Sequence, residues 1–202
     1  MADDVQTEAM ESVKSVDEGE DAIDWSKAQE GVRLLLEAVG GDPESEELQE
    51  TWRRRVPSAF KTLTEGSRLN AKPELRTFEA AGNSFVVKTG IPVYSLCEHH
   101  LLPYFGSATI AYRPDGEVVG LSKLSRYVRW QSRQLTMQEQ LTQDIAHGLG
   151  DEVGAEVVLV EISATHLCEA MRGVETKTET VTRAVAGEPT DDEQRRFNEA
   201  SN

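Results

Sequence analysis

Between residues 83 and 186 the hydrophobic pattern changes in a definite order, and that order restricts the available folds more than any other feature of the chain. "NSFVVKTGIPVYSL" (83–96) is rich in β-branched and aromatic residues and predicts a strand. "GSATIAYRPDGEVVGL" (106–121) reads as two short runs joined, hairpin-like, at "PDG". "SKLSRYVRWQSRQLTMQEQLTQDIAHGL" (122–149) is helical, with a break expected near Leu135. "AEVVLVEISATHL" (155–167) reads as a buried strand, and "VETKTETVTRAV" (174–185) alternates as a last strand would. The order is β-β-α-α-β-β. A mostly antiparallel sheet with helices on one face follows, in the α+β class.

Ahead of this unit the pattern is helical. Trp25, Ala28, Val32, Leu35, Leu36 and Val39 recur at helical spacing until "GGDP" ends the run. Leu48, Trp52, Val56, Phe60 and Leu63 share one face of a second stretch, which Pro57 should kink or split. Residues 65–82 read as a loop. At the ends the chain turns polar. Residues 1–24 carry nine acidic residues and one lysine and are expected to be a disordered, solvating tail. The segment "GEPTDDEQRRFNEASN" (187–202) is expected to fray.

Charge limits the partners. With a net charge of −15 the surface repels nucleic acid and anionic membrane, and it would suit high salt, where screening removes self-repulsion. No apolar run reaches the ~18 residues of a membrane span, and the acidic N-terminus lacks a signal core, so a cytoplasmic location is expected. In a reducing compartment the two cysteines are better suited to thiolate chemistry than to a disulfide.

Both cysteines and three of the four histidines fall in two short motifs, "SLCEHHLLPYFG" (95–106) and "ATHLCEAMRG" (164–173). Cys97 and His100 are three apart, so a turn can aim both at one ion. His166 and Cys168 are two apart, so an extended chain would put them on one face. Cys97, His100 and Cys168 would give zinc a three-ligand shell with an open fourth position, the pattern of a catalytic rather than a structural site. Two other readings use the same residues. One is a closed structural zinc with His166 or His99 as fourth ligand; the other is a pair of buried core cysteines with no metal.

Cationic residues recur near these motifs in a chain that is otherwise acidic. Ser122, Lys123 and Arg126 stand at an expected helix start, where free backbone N–H groups favour phosphate, and Arg172 follows the second motif. Each alone would ordinarily be solvated surface. Gln138 and Glu139 lie in "TMQEQLT", where Thr136-x-x-Glu139 also reads as a capping box. A carboxylate there can accept two parallel hydrogen bonds from a ring N–H and its neighbouring amino group, a pair that guanine offers. His147 lies on a helix with no ligand-spaced partner and reads as a packing or surface residue.

Together "YSLCEHHLLPYFG", "VVGLSKLSRYV", "RQLTMQEQLTQDIA" and "ATHLCEAMRGV" resemble the GTP cyclohydrolase I family in order and spacing, and "GVRLLLEAVGGDP" resembles its N-terminal helix. The resemblance implies the tunnelling fold, a β-β-α-α-β-β unit whose sheets join between subunits, over residues 84–186, preceded by an N-terminal helical region (25–83). It implies hydrolysis of GTP to 7,8-dihydroneopterin triphosphate and formate, with water activated at a zinc ion held by Cys97, His100 and Cys168. It further implies His99 and His166 as proton shuttles, Gln138 and Glu139 on the guanine edge, and Ser122, Lys123, Arg126 and Arg172 on the triphosphate. The expected assembly is a homo-oligomer, a decamer in the family, with sites near subunit interfaces. Trp52, Pro57 and the stretches "HGLGDEVGAEVV" and "TKTETVTRAV" depart from the family pattern without touching a proposed ligand. Two rivals stand beside this reading: a same-fold cyclohydrolase ending at a neopterin cyclic phosphate, and a zinc-stabilised assembly module without turnover. The latter needs neither His99 nor His166.

Overall fold

The computed structural model describes residues 23–68, 70–79, 82 and 85–201. The acidic tail expected over residues 1–24 therefore lies almost wholly outside the described residues. Helix α1 (Trp25–Ala38) starts at Asp24, whose carboxylate accepts the Lys27 N–H at 3.0 Å; this bond and the neighbouring Ser26 hydroxyl hold its pKa down at about 2. One π-helical turn, Thr51–Arg55, then leads into α2 (Val56–Leu63). The split falls where Pro57 predicts it. Proline lacks an N–H and is tolerated in a first turn, and Pro57 occupies the first turn of α2.

The remaining elements are β1 (Thr77–Glu79), β2 (Val86–Cys97), β3 (Pro103–Arg113), β4 (Glu117–Val119), α3 (Leu121–Ser132), β5 (Leu135–Thr136), α4 (Gln138–Val153), β6 (Val157–His166), α5 (Leu167–Ala170), β7 (Thr180–Gly187) and α6 (Asp191–Ser201). The expected β-β-α-α-β-β order is carried by β2, β3, α3, α4, β6 and β7. They build a five-stranded sheet in the order β5-β2-β3-β6-β7, antiparallel except for the short β2–β5 pairing.

The expected hairpin at "PDG" is not formed. β4 pairs instead with β1, Thr77 opposite Val119, inside the stretch expected to be a loop. The reason is topological. β3 already pairs with β2 on one side and β6 on the other, so it has no open edge to offer β4.

The core explains why β6 reads as an unbroken apolar run. Val158, Val160, Ile162 and Ala164 face α3 and α4 with Ile91, Val93, Ile110, Leu124, Leu141, Ile145 and Leu149, all nearly or wholly buried. Val157 and Leu159 alternate to the other face and join Phe85, Ala111 and Phe197 of α6 in a smaller cluster. The C-terminal segment expected to fray is thus a docked helix. One apolar residue, Phe197, anchors it, and a capping box at Thr190 and Glu193 starts it.

Candidate metal centre

Cys97 is the last residue of β2, and the chain reverses at once after it. The N–H groups of His100 and Leu101 donate to Cys97 O at 3.3 and 2.8 Å, and the Cys97 N–H donates to Leu102 O at 2.9 Å. Leu101 takes a left-handed φ of 53° to complete the turn. This reversal brings His100 Nδ1 to 3.5 Å from Cys97 Sγ. The third member arrives from the far side of the sheet. β6 ends at His166 and passes directly into the single turn α5, which carries Cys168. His166 and Cys168 therefore reach the same place through a strand-to-helix change rather than along one extended face.

The ligand atoms of Cys97, His100 and Cys168 lie within 4.8 Å of one another. Burial, with Cys97 beside it, pushes the Cys168 thiol above its usual pKa, while the charge of Arg172 acts the other way. Two thiols and an imidazole are a soft S/N donor set of the type that binds zinc and other transition metals. A dication between the two sulfurs would relieve the mutual penalty of ionising them.

The trio lines a cavity of ≈ 210 Å³ together with His99, His166, Gln138 and Glu139. His99 is exposed and lies 3.7 Å from Glu98 Oε1. The imidazole of His166 is half-buried; burial lowers its pKa, and the carboxylates of Glu139 and Glu169 oppose that shift. Gln138 is buried, and its amide nitrogen lies within 2.9 Å of Ile162 O and Thr180 O and 3.1 Å of Thr182 Oγ1. These bonds use up its donors and leave its carbonyl oxygen without a partner among the described residues, so Gln138 can serve the cavity only as an acceptor. Glu139 opens α4.

The capping box expected at Thr136 and Glu139 is absent. Thr136 belongs to β5, where it pairs with Cys97, so the helix starts instead from Met137 with no side-chain cap. Glu139 is thereby left available to the cavity.

Tyr104 and Met137, which the sequence did not single out, also line the cavity, together with Thr136, expected only as a helix cap. Tyr104 lies inside the quoted motif, but only the β3–β6 register places it opposite His166. His147 bonds to Gln143 Oε1 at 3.2 Å on an exposed face of α4, as a residue without a site role would.

The anion-binding candidates divide. Arg172 follows α5, close enough for its charge to act on Cys168. Ser122, Lys123 and Arg126 occupy the first two turns of α3, whose N-cap Gly120 provides no side-chain bond. None of these three lines the cavity of the trio. Arg126 instead lines a larger cleft of ≈ 550 Å³ with Arg68, Arg129 and Trp130, which contains no cysteine or histidine. A single chain thus brings Cys97, His100, Cys168, His99, His166, Gln138 and Glu139 to one cavity, and leaves the residues at the start of α3 elsewhere on its surface.

Comparison with known proteins gives a consistent family. The sequence model described as GTP cyclohydrolase I matches residues 28–201. A GTP cyclohydrolase 1 from Hyperthermus butylicus is 48% identical over 166 residues, which is 82% of this chain and 84% of that protein. A GTP cyclohydrolase 1 from Clostridium perfringens is 42% identical over 173 residues, 85% of this chain and 93% of that protein. One from Campylobacter lari is 46% identical over 151 residues, 74% and 79% respectively. Among solved structures, the apo form of the archaeosine synthase QueF-Like covers 54% of this chain and 99% of its own at 16% identity. Its TM-score of 0.41 is too low to carry an argument.

Proposed function

The chain belongs to the GTP cyclohydrolase I family, and from that premise we propose that it hydrolyses GTP to 7,8-dihydroneopterin triphosphate and formate with zinc as cofactor. The observation that carries this reading is the meeting of Cys97, His100 and Cys168 in one cavity with His99, His166, Gln138 and Glu139. Three ligands and an open position suit a catalytic ion, and the cavity beside them has room for a reacting group. Bound zinc supplies Lewis acidity and lowers the pKa of a coordinated water to about 7.

The side chains carry the rest. Gln138 Oε1 and the Glu139 carboxylate are acceptors, so they select a base edge that presents a ring N–H beside an amino group, as guanine does; adenine presents its amino group beside a bare ring nitrogen. His166 and His99 hold and move protons at the ring nitrogens as the imidazole ring of the base opens. Ser122, Lys123, Arg126 and Arg172 hold the triphosphate through charge-assisted bonds. Ser122, Lys123 and Arg126 lie off the cavity in one chain, so they act on the site of a neighbouring copy. The chain works as a homo-oligomer, and by family resemblance as a decamer. Open sheet edges support this. β5 covers only Leu96 and Cys97 of β2, and β7 has no outer partner among the described residues. Exposed Tyr94 on β2 and Val181 and Val185 on β7 add apolar surface on those outer strands.

We assign residues 84–186 to the catalytic unit, 25–83 to a helical region before it and 187–202 to a C-terminal segment. No helix among the described residues is long and apolar enough to cross a membrane. Both cysteines are free, which fits a reducing compartment such as the cytoplasm.

The test is to incubate the zinc-loaded protein with GTP and to follow formate and, after oxidation, a fluorescent pterin that retains its triphosphate. A cyclic phosphate product would assign the same-fold alternative, and absence of any pterin would refute the reading.

A further inference from the structure

Tyr104 and His166 are cross-strand partners in the β3–β6 ladder, and their rings stack with centroids 4.7 Å apart and planes inclined by 15°. Tyr104 is 1% exposed and immobilised in the core, whereas His166 ends its strand at the cavity. Among the described residues no side-chain hydrogen bond restrains the His166 imidazole, and Tyr104 is its one ring contact. A hydrogen bond from the protein would fix the imidazole plane at the expense of one ring nitrogen. A stack fixes the plane and leaves both nitrogens free. A group that receives a proton at one moment and returns it at another needs that freedom.

We infer that Tyr104 is a positioning residue: its ring holds the His166 imidazole in the plane that directs both nitrogens at the contents of the cavity. The inference rests on the proposed role of His166 in proton transfer. Its structural half, the control of the imidazole plane, stands apart from turnover. The strand register enforces the pairing, because a slip of one residue would carry the two side chains to opposite faces of the sheet. The Tyr104 hydroxyl makes no well-formed hydrogen bond among the described residues, and its one polar neighbour is Ser95, its partner across the β2–β3 ladder. The Ser95 hydroxyl keeps its own bond to Gln134 O at 3.2 Å when the Tyr104 hydroxyl is removed, which makes Tyr104→Phe a control that keeps the ring.

The experiment compares Tyr104→Phe and Tyr104→Leu, each alone and combined with His166→Ala, in the zinc-loaded enzyme. Tyr104→Leu is expected to lower kcat on the order of 100-fold, as misplacement of a reacting group does, with KM within about threefold of wild type. Tyr104→Phe should stay within about threefold of wild type in both constants, and Tyr104→Leu should add less than about threefold once His166 is gone. Crystal structures of both variants should show the imidazole plane kept in Tyr104→Phe and turned in Tyr104→Leu. Full kcat in Tyr104→Leu, an equal loss in Tyr104→Phe, or the same loss without His166 would overturn the inference. If wild type itself yields no pterin, the functional reading fails; an unmoved imidazole in Tyr104→Leu would then overturn the positioning role on its own. Should the Leu variant not assemble, Tyr104→Met, of about the same volume but unbranched and more adaptable, takes its place with the same expectations.

Discussion

At the scale of the residue, the site divides its labour by position relative to the ligand trio. Cys168 supplies a sulfur that no nearby group replaces, so Cys168→Ser is expected to lose zinc and turnover together, measured by metal analysis beside GTP kinetics. Full zinc occupancy in that variant would remove Cys168 from the shell. His166 lines the cavity without belonging to the trio. His166→Ala should therefore keep its zinc and lower kcat by about 10²–10⁴-fold, the usual contribution of a positioned acid or base. Loss of zinc in this variant would point to the closed, structural form of the site. Gln138 shows how a side chain's role narrows on folding. An amide offers both donors and acceptors, but strands β6 and β7 take its donors and leave its carbonyl oxygen without a partner among the described residues.

At the scale of the element, the chain contains the pattern Thr-x-x-Glu at two helix starts, and the two behave differently. At α6 the box forms. The Thr190 N–H and hydroxyl donate to Glu193 Oε2 at 2.8 and 3.0 Å, and the Glu193 N–H donates to Thr190 Oγ1 at 3.3 Å. Arg113 of β3 adds bonds to both Glu193 oxygens at 2.9 and 3.0 Å, which ties α6 to the sheet. Burial pushes the Glu193 carboxyl up, but the bonds from Thr190 and the Arg113 guanidinium outweigh it and hold the pKa below the usual carboxylate value. A carboxyl depressed on folding stabilises above the unfolded pKa of about 4.3 and loses that contribution as pH falls through its folded value. Glu193→Gln should cost about 1.5–3 kcal/mol at pH 7 in denaturant unfolding, and should flatten the loss of stability below pH about 4.3. An unchanged acid slope would mean that other carboxyls dominate there.

A second element-scale expectation concerns β3. A Cβ on Gly106 would lie 1.9 Å from Ser163 O of β6, so Gly106→Ala should force the two strands apart. The pairing of Tyr104 with His166 is two residues away, and activity should fall along with thermal stability, followed by scanning calorimetry and GTP turnover.

At the scale of the whole molecule, charge and assembly are linked. A chain of net charge −15 repels an anionic nucleotide at long range, so GTP binding is expected to depend on the proposed phosphate contacts, Lys123 and Arg126 at the start of α3 and Arg172 after α5. At 1 M salt the Debye length is about 3 Å, which removes the repulsion among surface carboxylates while close contacts are screened less. Activity and oligomer size are therefore expected to persist or rise at molar salt, measured by GTP kinetics and light scattering across a salt series. A steep loss of activity with the oligomer intact would count against salt adaptation. Lys123→Ala and Arg126→Ala should each raise the KM for GTP, losing a charge-assisted contact worth roughly 1.5–3 kcal/mol. A monomer in light scattering would sink the shared site altogether.

Local pattern was sufficient for much of this protein. Hydrophobic period located α1, the split at Pro57, the four long strands and the two central helices, because those signals depend on neighbours in sequence. The two cysteine–histidine motifs likewise contain Cys97, His100 and Cys168, whose ligand atoms lie within 4.8 Å of one another. What local pattern could not supply was any choice between competing long-range partners. β4 turned to β1 because β3 had no open edge. Thr136 failed to cap α4 because Cys97 had claimed its backbone for β5, whereas the same pattern at Thr190 met Arg113 and formed. The polar C-terminal segment docked because a sheet face elsewhere offered Phe197 a place. Tyr104 entered the site through a register that no single motif contains. In each case the deciding energy lies in a contact between segments far apart along the chain, which exists only after the sheet has closed.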